Sequence, residues 1–257
     1  MKKKIVSMML CVAMAATMMA GCGSKEEAAA PAQTETEAPG GTLVMGTNAE
    51  FPPYEYREGD QIVGIDAEMA AAVAEKLGME LKIEDMAFDA IIPALTSGKV
   101  DMGVAGMTVT EDRLMSVNFS DTYAVAKQVI IVTEDSEIAG VADLTGKTIG
   151  VQQGTTGDLY ASEEDATIER FAKGMEAVLS LSQGKIDAVV IDSEPAKVFV
   201  SEVEGIKILD ETYADEEYAI AIAKEDTELL EKVNTALAEL EADGTLKAIV
   251  DKYISAE

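Results

Sequence analysis

Two ten-residue stretches of this chain repeat each other. LTSGKVDMGV (95–104) and LSQGKIDAVV (181–190) agree as Leu, a small hydroxyl residue, Gly-Lys, Val or Ile, Asp, and an apolar run. Each reads as the end of an amphipathic helix, a glycine stop and a buried strand. One such junction is an ordinary αβ unit. Agreement at successive positions predicts two related lobes.

The surrounding pattern fits that expectation. TLVMGT (42–47) is strand-like. DAEMAAAVAEKLG (66–78) is helical, with Met69, Val73 and Leu77 on one stripe and Gly78 as the stop. FDAIIPALTSG (88–98) reads as a helix with Ile91, Ile92 and Leu95 inward, and VDMGVAGM as the buried strand after it. Alternation of this kind predicts an α/β fold, with mostly parallel sheets flanked by helices. Two apolar runs, VAKQVIIVTED (125–135) and EYAIAIAKED (217–226), are long enough to cross between lobes. They divide the chain into lobe 1, residues 42–126 plus 219–257, and lobe 2, residues 127–218. The C-terminal helices return to lobe 1, with Leu229, Leu230, Val233, Leu237 and Leu240 facing its core. Two hinge strands restrict motion to opening and closing.

The N-terminus is an address. Lys2, Lys3 and Lys4 precede an apolar run that ends in Met19-Ala20-Gly21-Cys22. This reads as a secretory signal over residues 1–21 with a lipobox, so Cys22 is the expected lipidation site. The run is short for a membrane span. Residues 22–41 carry no large apolar side chain and form a flexible tether. The expected location is the extracytoplasmic face of the cell membrane, with the lipid as anchor.

Composition excludes several functions. There are 48 acidic residues against 20 basic ones, a net charge of −28. Nucleic-acid binding needs the opposite sign. Histidine is absent, and the only cysteines are Cys11 and Cys22. That removes His-based triads, cysteine nucleophiles and nearly all zinc sites. No metal or cofactor is expected. TGKTIG (145–150) lacks the spacing of a phosphate-binding loop, and its lysine opens a strand instead of a helix.

In open α/β sheets ligands bind beyond the carboxyl ends of the strands. Four such ends carry TNAEF, AGMTVTEDR, GTTGD and VIDSEP. Gly106 admits close approach to the backbone. Thr110 reads as a helix N-cap, and Arg113 just inside that helix offers a guanidinium fork suited to a carboxylate. Thr108 adds a hydroxyl, and the GTTG segment opens a helix with free N–H groups. Asp192 offers acceptors to a cation. The complement of these groups is a zwitterion. Each has a plainer reading: Arg113 as a surface partner on its own helix, Asp192 as the cap of a helix starting at Ser193, Phe51 and Phe88 as core. Asp66 and Thr155 read as helix caps, and Glu50 and Asp158 as solvated acids that are also placed to meet a basic side chain.

Taken together, TNAEFPPYEY, GIDAEMAAAVAEKLG, FDAIIPALTSGKVDMGVAGMTVTEDR, FSDTY, GKTIGVQQGTTG and DAVVIDSEPA resemble the polar amino-acid substrate-binding proteins of ABC importers, solute-binding protein family 3, over residues 42–254. The resemblance implies a two-lobe, periplasmic-binding-protein-like (Venus-flytrap) fold: two mostly parallel sheets joined by two hinge strands. It implies that Arg113 grips the substrate carboxylate with Thr108 and Thr156, and that Asp192 and the Gly106 carbonyl take the ammonium. Phe51 and Phe88 sandwich the substrate side chain. Asn48 and Gly157 stand where relatives often carry Asp and a long polar residue. The implied function is capture of an L-α-amino acid, polar neutral or cationic, by a monomer that delivers it to a permease and its ATPase. Alternatives on the same fold are a small-carboxylate dehydratase and a stand-alone amino-acid sensor.

Overall fold

The computed structural model describes residues 40–254. The signal-like segment, Cys22 and the tether up to residue 39 lie outside the described residues. The first half of the chain runs β1 (Thr42–Thr47), β2 (Glu50–Phe51), β3 (Glu55–Glu58), β4 (Gln61–Val63), α1 (Ile65–Lys76) and β5 (Glu80–Asp85). A 3-10 turn, Phe88–Ala90, leads into α2 (Ile91–Thr96), then β6 (Met102–Gly103), α3 (Glu111–Leu114) and the long β7 (Val117–Thr133), after which a second 3-10 turn spans Val141–Leu144. There follow β8 (Thr148–Gln152), α4 (Thr156–Ala161), β9 (Thr167–Phe171), α5 (Gly174–Ser182), β10 (Ala188–Asp192) and α6 (Ser193–Glu202). The chain returns through β11 (Ile206–Ala223) and ends in α7 (Thr227–Ala242) and α8 (Thr245–Tyr253).

Eight strands form one ladder in the order β5-β1-β6-β11-β7-β10-β8-β9. On one side β5, β1 and β6 are parallel, and on the other β10, β8 and β9 are parallel. Between them β7 and β11 run antiparallel to each other from Val117 to Thr133 and from Ala223 to Ile206. These are the two predicted crossing strands. They are longer than their apolar runs, and the ladder shifts register between Ile208 and Thr212 and again near Ala219. Each half has its own core. One gathers Leu43, Met45, Met69, Val73, Val104, Val233 and Leu237. The other gathers Ile130, Val132, Leu144, Ile149, Val151 and Val190.

The repeated segments adopt the same geometry twice. Gly98 and Gly184 both take left-handed backbone, φ 69° and 68°, as the stops after α2 and α5. Asp101 Oδ2 accepts the Val44 N–H at 2.7 Å, and Asp187 Oδ2 accepts the Thr148 N–H at 2.7 Å. In return the Asp101 N–H reaches the Val44 carbonyl and the Asp187 N–H the Thr148 carbonyl, each at 2.8 Å. The shared aspartate therefore fastens the repeat strand to the neighbouring parallel strand.

Three local expectations change. The 88–98 segment is a 3-10 turn plus a short helix, and Ile92 is only half-buried while Ile91 and Leu95 are fully buried. Residues four apart share a face, and Ile92 lies about 100° round from it. Leu229 and Leu230, in the first turn of α7, are likewise half-buried. The strand read over VDMGVAGM stops at Gly103, and the chain beyond it breaks at Gly106, φ 51°.

Candidate ligand-binding site

All eight residues expected at the site line one narrow cleft: Asn48, Phe51, Phe88, Gly106, Thr108, Arg113, Thr156 and Asp192. Glu55, Ala105, Gln152 and Thr155 complete its wall.

The β6 side supplies the guanidinium. Thr110 caps α3 by accepting the Arg113 N–H at 3.2 Å, which fixes the turn that carries Arg113. Arg113 is buried, only 7% exposed. Its Nη1 donates to the Thr108 carbonyl at 2.7 Å, and its Nη2 crosses the cleft to the Gly154 carbonyl at 3.1 Å. Its guanidinium carbon lies 5.2 Å from the Phe88 ring centre, a cation–π distance. A guanidinium has five N–H donors, so others are left for a carboxylate. Burial lowers the Arg113 pKa, and Glu216 and Asp192 oppose this.

Position 106 strains any residue with a side chain. A β-carbon there would stand 3.1 Å from Phe51 and 3.3 Å from Tyr218, with φ already in the left-handed region. Its N–H donates to Asp66 Oδ2 at 2.8 Å, and Tyr123 donates to the same oxygen at 2.9 Å. Asp66 is therefore not the cap of α1. The N-cap position is Gly64, with no side-chain cap bond, and Asp66 anchors the cleft loop instead. Burial raises the Asp66 pKa to about 6 against its hydrogen bonds. Burial, then the Asp66 charge, pushes the neighbouring Glu55 carboxyl well above the usual range.

The β10 side supplies the carboxylate. Asp192 occupies the N-cap position of α6 but makes no side-chain cap bond. Its oxygens instead take the Gln128 amide and the Tyr218 hydroxyl. Burial, then the charge of Glu216, raises its pKa to about 8, with Tyr218 and Arg113 pulling the other way. At the GTTG segment Thr155 caps α4 as expected, accepting the Asp158 N–H at 3.4 Å. Thr156, the first residue of α4, accepts from Gln128 Nε2 at 3.2 Å.

Side chains also meet across the mouth. Gln152 Nε2 donates to Asn48 Oδ1 at 2.8 Å, Gln153 Nε2 to Asp89 Oδ2 at 2.5 Å, and Lys173 pairs with Glu50 at 2.5 Å. Glu50 is thus an ion-pair partner rather than a solvated acid. Asp158 is buried and holds Arg170 and the Gly154 N–H, so it braces the GTTG loop from behind. Gly157 does not line the cavity, since a β-carbon there would meet the Val190 carbonyl at 2.8 Å.

Sequence reasoning missed Gln152, Glu55, Gln128, Glu216 and Tyr218. Gln152 ends a strand whose carboxyl end faces the cleft, which was a usable signal. Gln128, Glu216 and Tyr218 lie on β7 and β11, where nothing in the pattern separates them from ordinary strand residues. Among the described residues no group of His, Cys, Asp and Glu could hold a metal ion, and no helix is long and apolar enough to cross a membrane.

Comparison with known proteins gives this geometry a family. The arginine-binding extracellular protein ArtP of Bacillus subtilis is 37% identical over 84% of this chain and 87% of its own length. An ancestral arginine-binding protein bound to arginine superposes with a TM-score of 0.80 at 41% identity, covering 83% of this chain and 98% of its own. The arginine-bound form of truncated ArgBP from T. maritima gives 0.75 at 45% identity, covering 77% and 96%. The model of one family matches residues 43–256, and the chain belongs to it: the bacterial extracellular solute-binding proteins, family 3.

Proposed function

We propose that this protein is the extracytoplasmic substrate-binding component of an ABC importer. It captures a free L-α-amino acid with a cationic side chain, arginine foremost, and hands it unchanged to a permease and its ATPase. The observation that carries this reading is that Arg113 and Asp192 line the same cavity from opposite halves of the sheet. In this reading Arg113, with Thr108 and Thr156, takes the carboxylate, and Asp192 with the Gly106 carbonyl takes the ammonium. The substrate side chain runs between Phe51 and Phe88 toward Asn48 and Gln152. A cation is favoured because Arg113, assigned to the carboxylate, is the one basic side chain in the wall, so no positive group competes at the far end. A net charge of −28 also steers cations inward. The names of the relatives support the same side chain.

The two lobes are residues 42–126 plus 219–257 and residues 127–218. Substrate touches both only when they are closed, so binding shifts the population toward closure. The signal is removed after residue 21, lipid on Cys22 anchors the protein outside the cell membrane, and residues 22–41 are the tether. The protein works as a monomer. Calorimetric titration with arginine, lysine, histidine, glutamine and glutamate tests the substrate. Arginine binds most tightly, and a preference for glutamate would overturn the reading.

A further inference from the structure

Behind Asp192 the site is short of hydrogen-bond donors. Glu216, on β11, is 5% exposed, and Gln128, on β7, is fully buried. The single Gln128 Nε2 reaches Asp192 Oδ1, Glu216 Oε2 at 3.0 Å and Thr156 Oγ1 at 3.2 Å. An amide nitrogen has two hydrogens for these three acceptors. Thr108 Oγ1 gives Glu216 one further bond at 3.0 Å. Glu216 Oε1 and Gln128 Oε1 are buried and make no well-formed hydrogen bond, with the Tyr160 hydroxyl approaching Glu216 from α4. Arg113 spends two of its N–H groups on backbone carbonyls instead of on either carboxylate. Two buried acids with too few donors make a place that favours a cation, which an ammonium donating to Asp192 supplies.

We propose that Glu216 is a positioning residue of the ammonium site, and that it makes the arrival of the ligand ammonium coincide with the departure of one proton from Asp192. This rests on the reading of Asp192 as the ammonium acceptor. In the empty site the Asp192 carboxyl keeps its proton because it is buried beside a second acid. When R–NH3+ enters, its charge replaces that proton, the O–H bond of Asp192 breaks, and the proton leaves to solvent. Glu216 acts through Gln128 and through its charge, without touching the ligand. The titratable groups around Asp192 are Glu216 and Tyr218 on β11, Arg113 on α3, Tyr160 on α4, Tyr54 and Glu55. Glu216 is the one whose negative charge raises Asp192 most after burial itself, toward about 8. Arginine affinity therefore rises with pH up to that region, by at most about tenfold per pH unit for one proton.

The test is calorimetric titration of the full protein with arginine at several pH values, in phosphate and in Tris, whose ionisation heats differ. For the wild type the binding heats differ between buffers by about one released proton near pH 7, and affinity climbs toward tenfold per unit between pH 6 and 7.5. Glu216→Gln, checked for an unchanged melting transition, binds arginine with that proton release at least halved and the pH profile flattened. Buffer-independent heats in the wild type overturn the proposal without any variant, and so does Glu216→Gln with wild-type proton release. Asp192→Asn separates the two layers. Wild-type affinity in that variant sinks the ammonium reading itself. Lost affinity in it, alongside buffer-independent wild-type heats, sinks only the proton coupling.

Discussion

The α2–β6 junction and the α5–β10 junction are built alike and end differently. Both have a buried leucine, a left-handed glycine and an aspartate that fastens the strand to its parallel neighbour at the same distance. After β6 the chain turns sharply at Gly106 and lifts Arg113 on a one-turn helix. After β10 it passes straight into α6 and leaves Asp192 at the seam. The scaffold is spent identically in the two halves, and opposite charge is delivered only beyond the strand ends. Stability belongs to the repeated part and binding to the part that is not repeated.

That division can be broken by matched substitutions. Leu95→Ala and Leu181→Ala remove equivalent leucines that are 1% and 0% exposed. Each destabilises by about 2–5 kcal/mol in denaturant titration. If one were silent, the junctions would not be equivalent. Gly98→Ala and Gly184→Ala meet no atom within 4 Å, so only the positive φ matters. Each loses about 1–2 kcal/mol, and the two values agree within a few tenths. Asp101→Ala and Asp187→Ala each lose about 0.5–1.5 kcal/mol, with Asp101 at the upper end because it is the less exposed. All six changes leave ligand affinity near wild type once the protein is folded.

The binding half of the comparison has its own signature in pH. Asp192 and Asp66 are raised from an ordinary 3.8 to about 8 and about 6. Between pH 4 and those values the folded protein holds protons that the unfolded chain has lost. Their contribution to stability is complete below pH 4 and disappears as pH rises through 6 and then 8. The melting temperature of the empty protein therefore carries a falling component from pH 5 to pH 8, and Asp192→Asn removes the upper part of that fall. A profile identical to wild type in Asp192→Asn would contradict the assignment.

Much of this was legible in the sequence because it is local or repeated. The repeat carried its own punctuation, and Gly106, Thr108, Arg113, Thr156 and Asp192 sat at strand ends where an open sheet puts ligands, while Asn48, Phe51 and Phe88 entered through the family resemblance. What was not legible depends on partners distant in the chain. Asp66 looks like a cap because it stands at a helix start, but its partner is the Gly106 N–H, 40 residues on. Asp158 looks solvated until β9 brings Arg170 over it. Glu216 and Gln128 lie on the two hinge strands, and only the register of β7 against β11 makes them neighbours: Gln128 pairs with Ala214 and Lys127 with Asp215. The 3-10 entry into α2 and the two-residue length of β6 were likewise set by packing and by Gly106, beyond the reach of periodicity.

The central claim is that a guanidinium from one half meets the substrate carboxylate while a carboxylate from the other meets its ammonium. The most direct measurement is a cycle by calorimetry: wild type and Arg113→Ala, each titrated with arginine and with agmatine, which lacks the carboxylate. Charged hydrogen bonds contribute about 1.5–3 kcal/mol each, so Arg113→Ala weakens arginine by about tenfold to over a hundredfold. It leaves agmatine, already weak on the wild type, nearly unchanged. An equal loss for both ligands would mean that Arg113 only holds the fold, and would contradict the account.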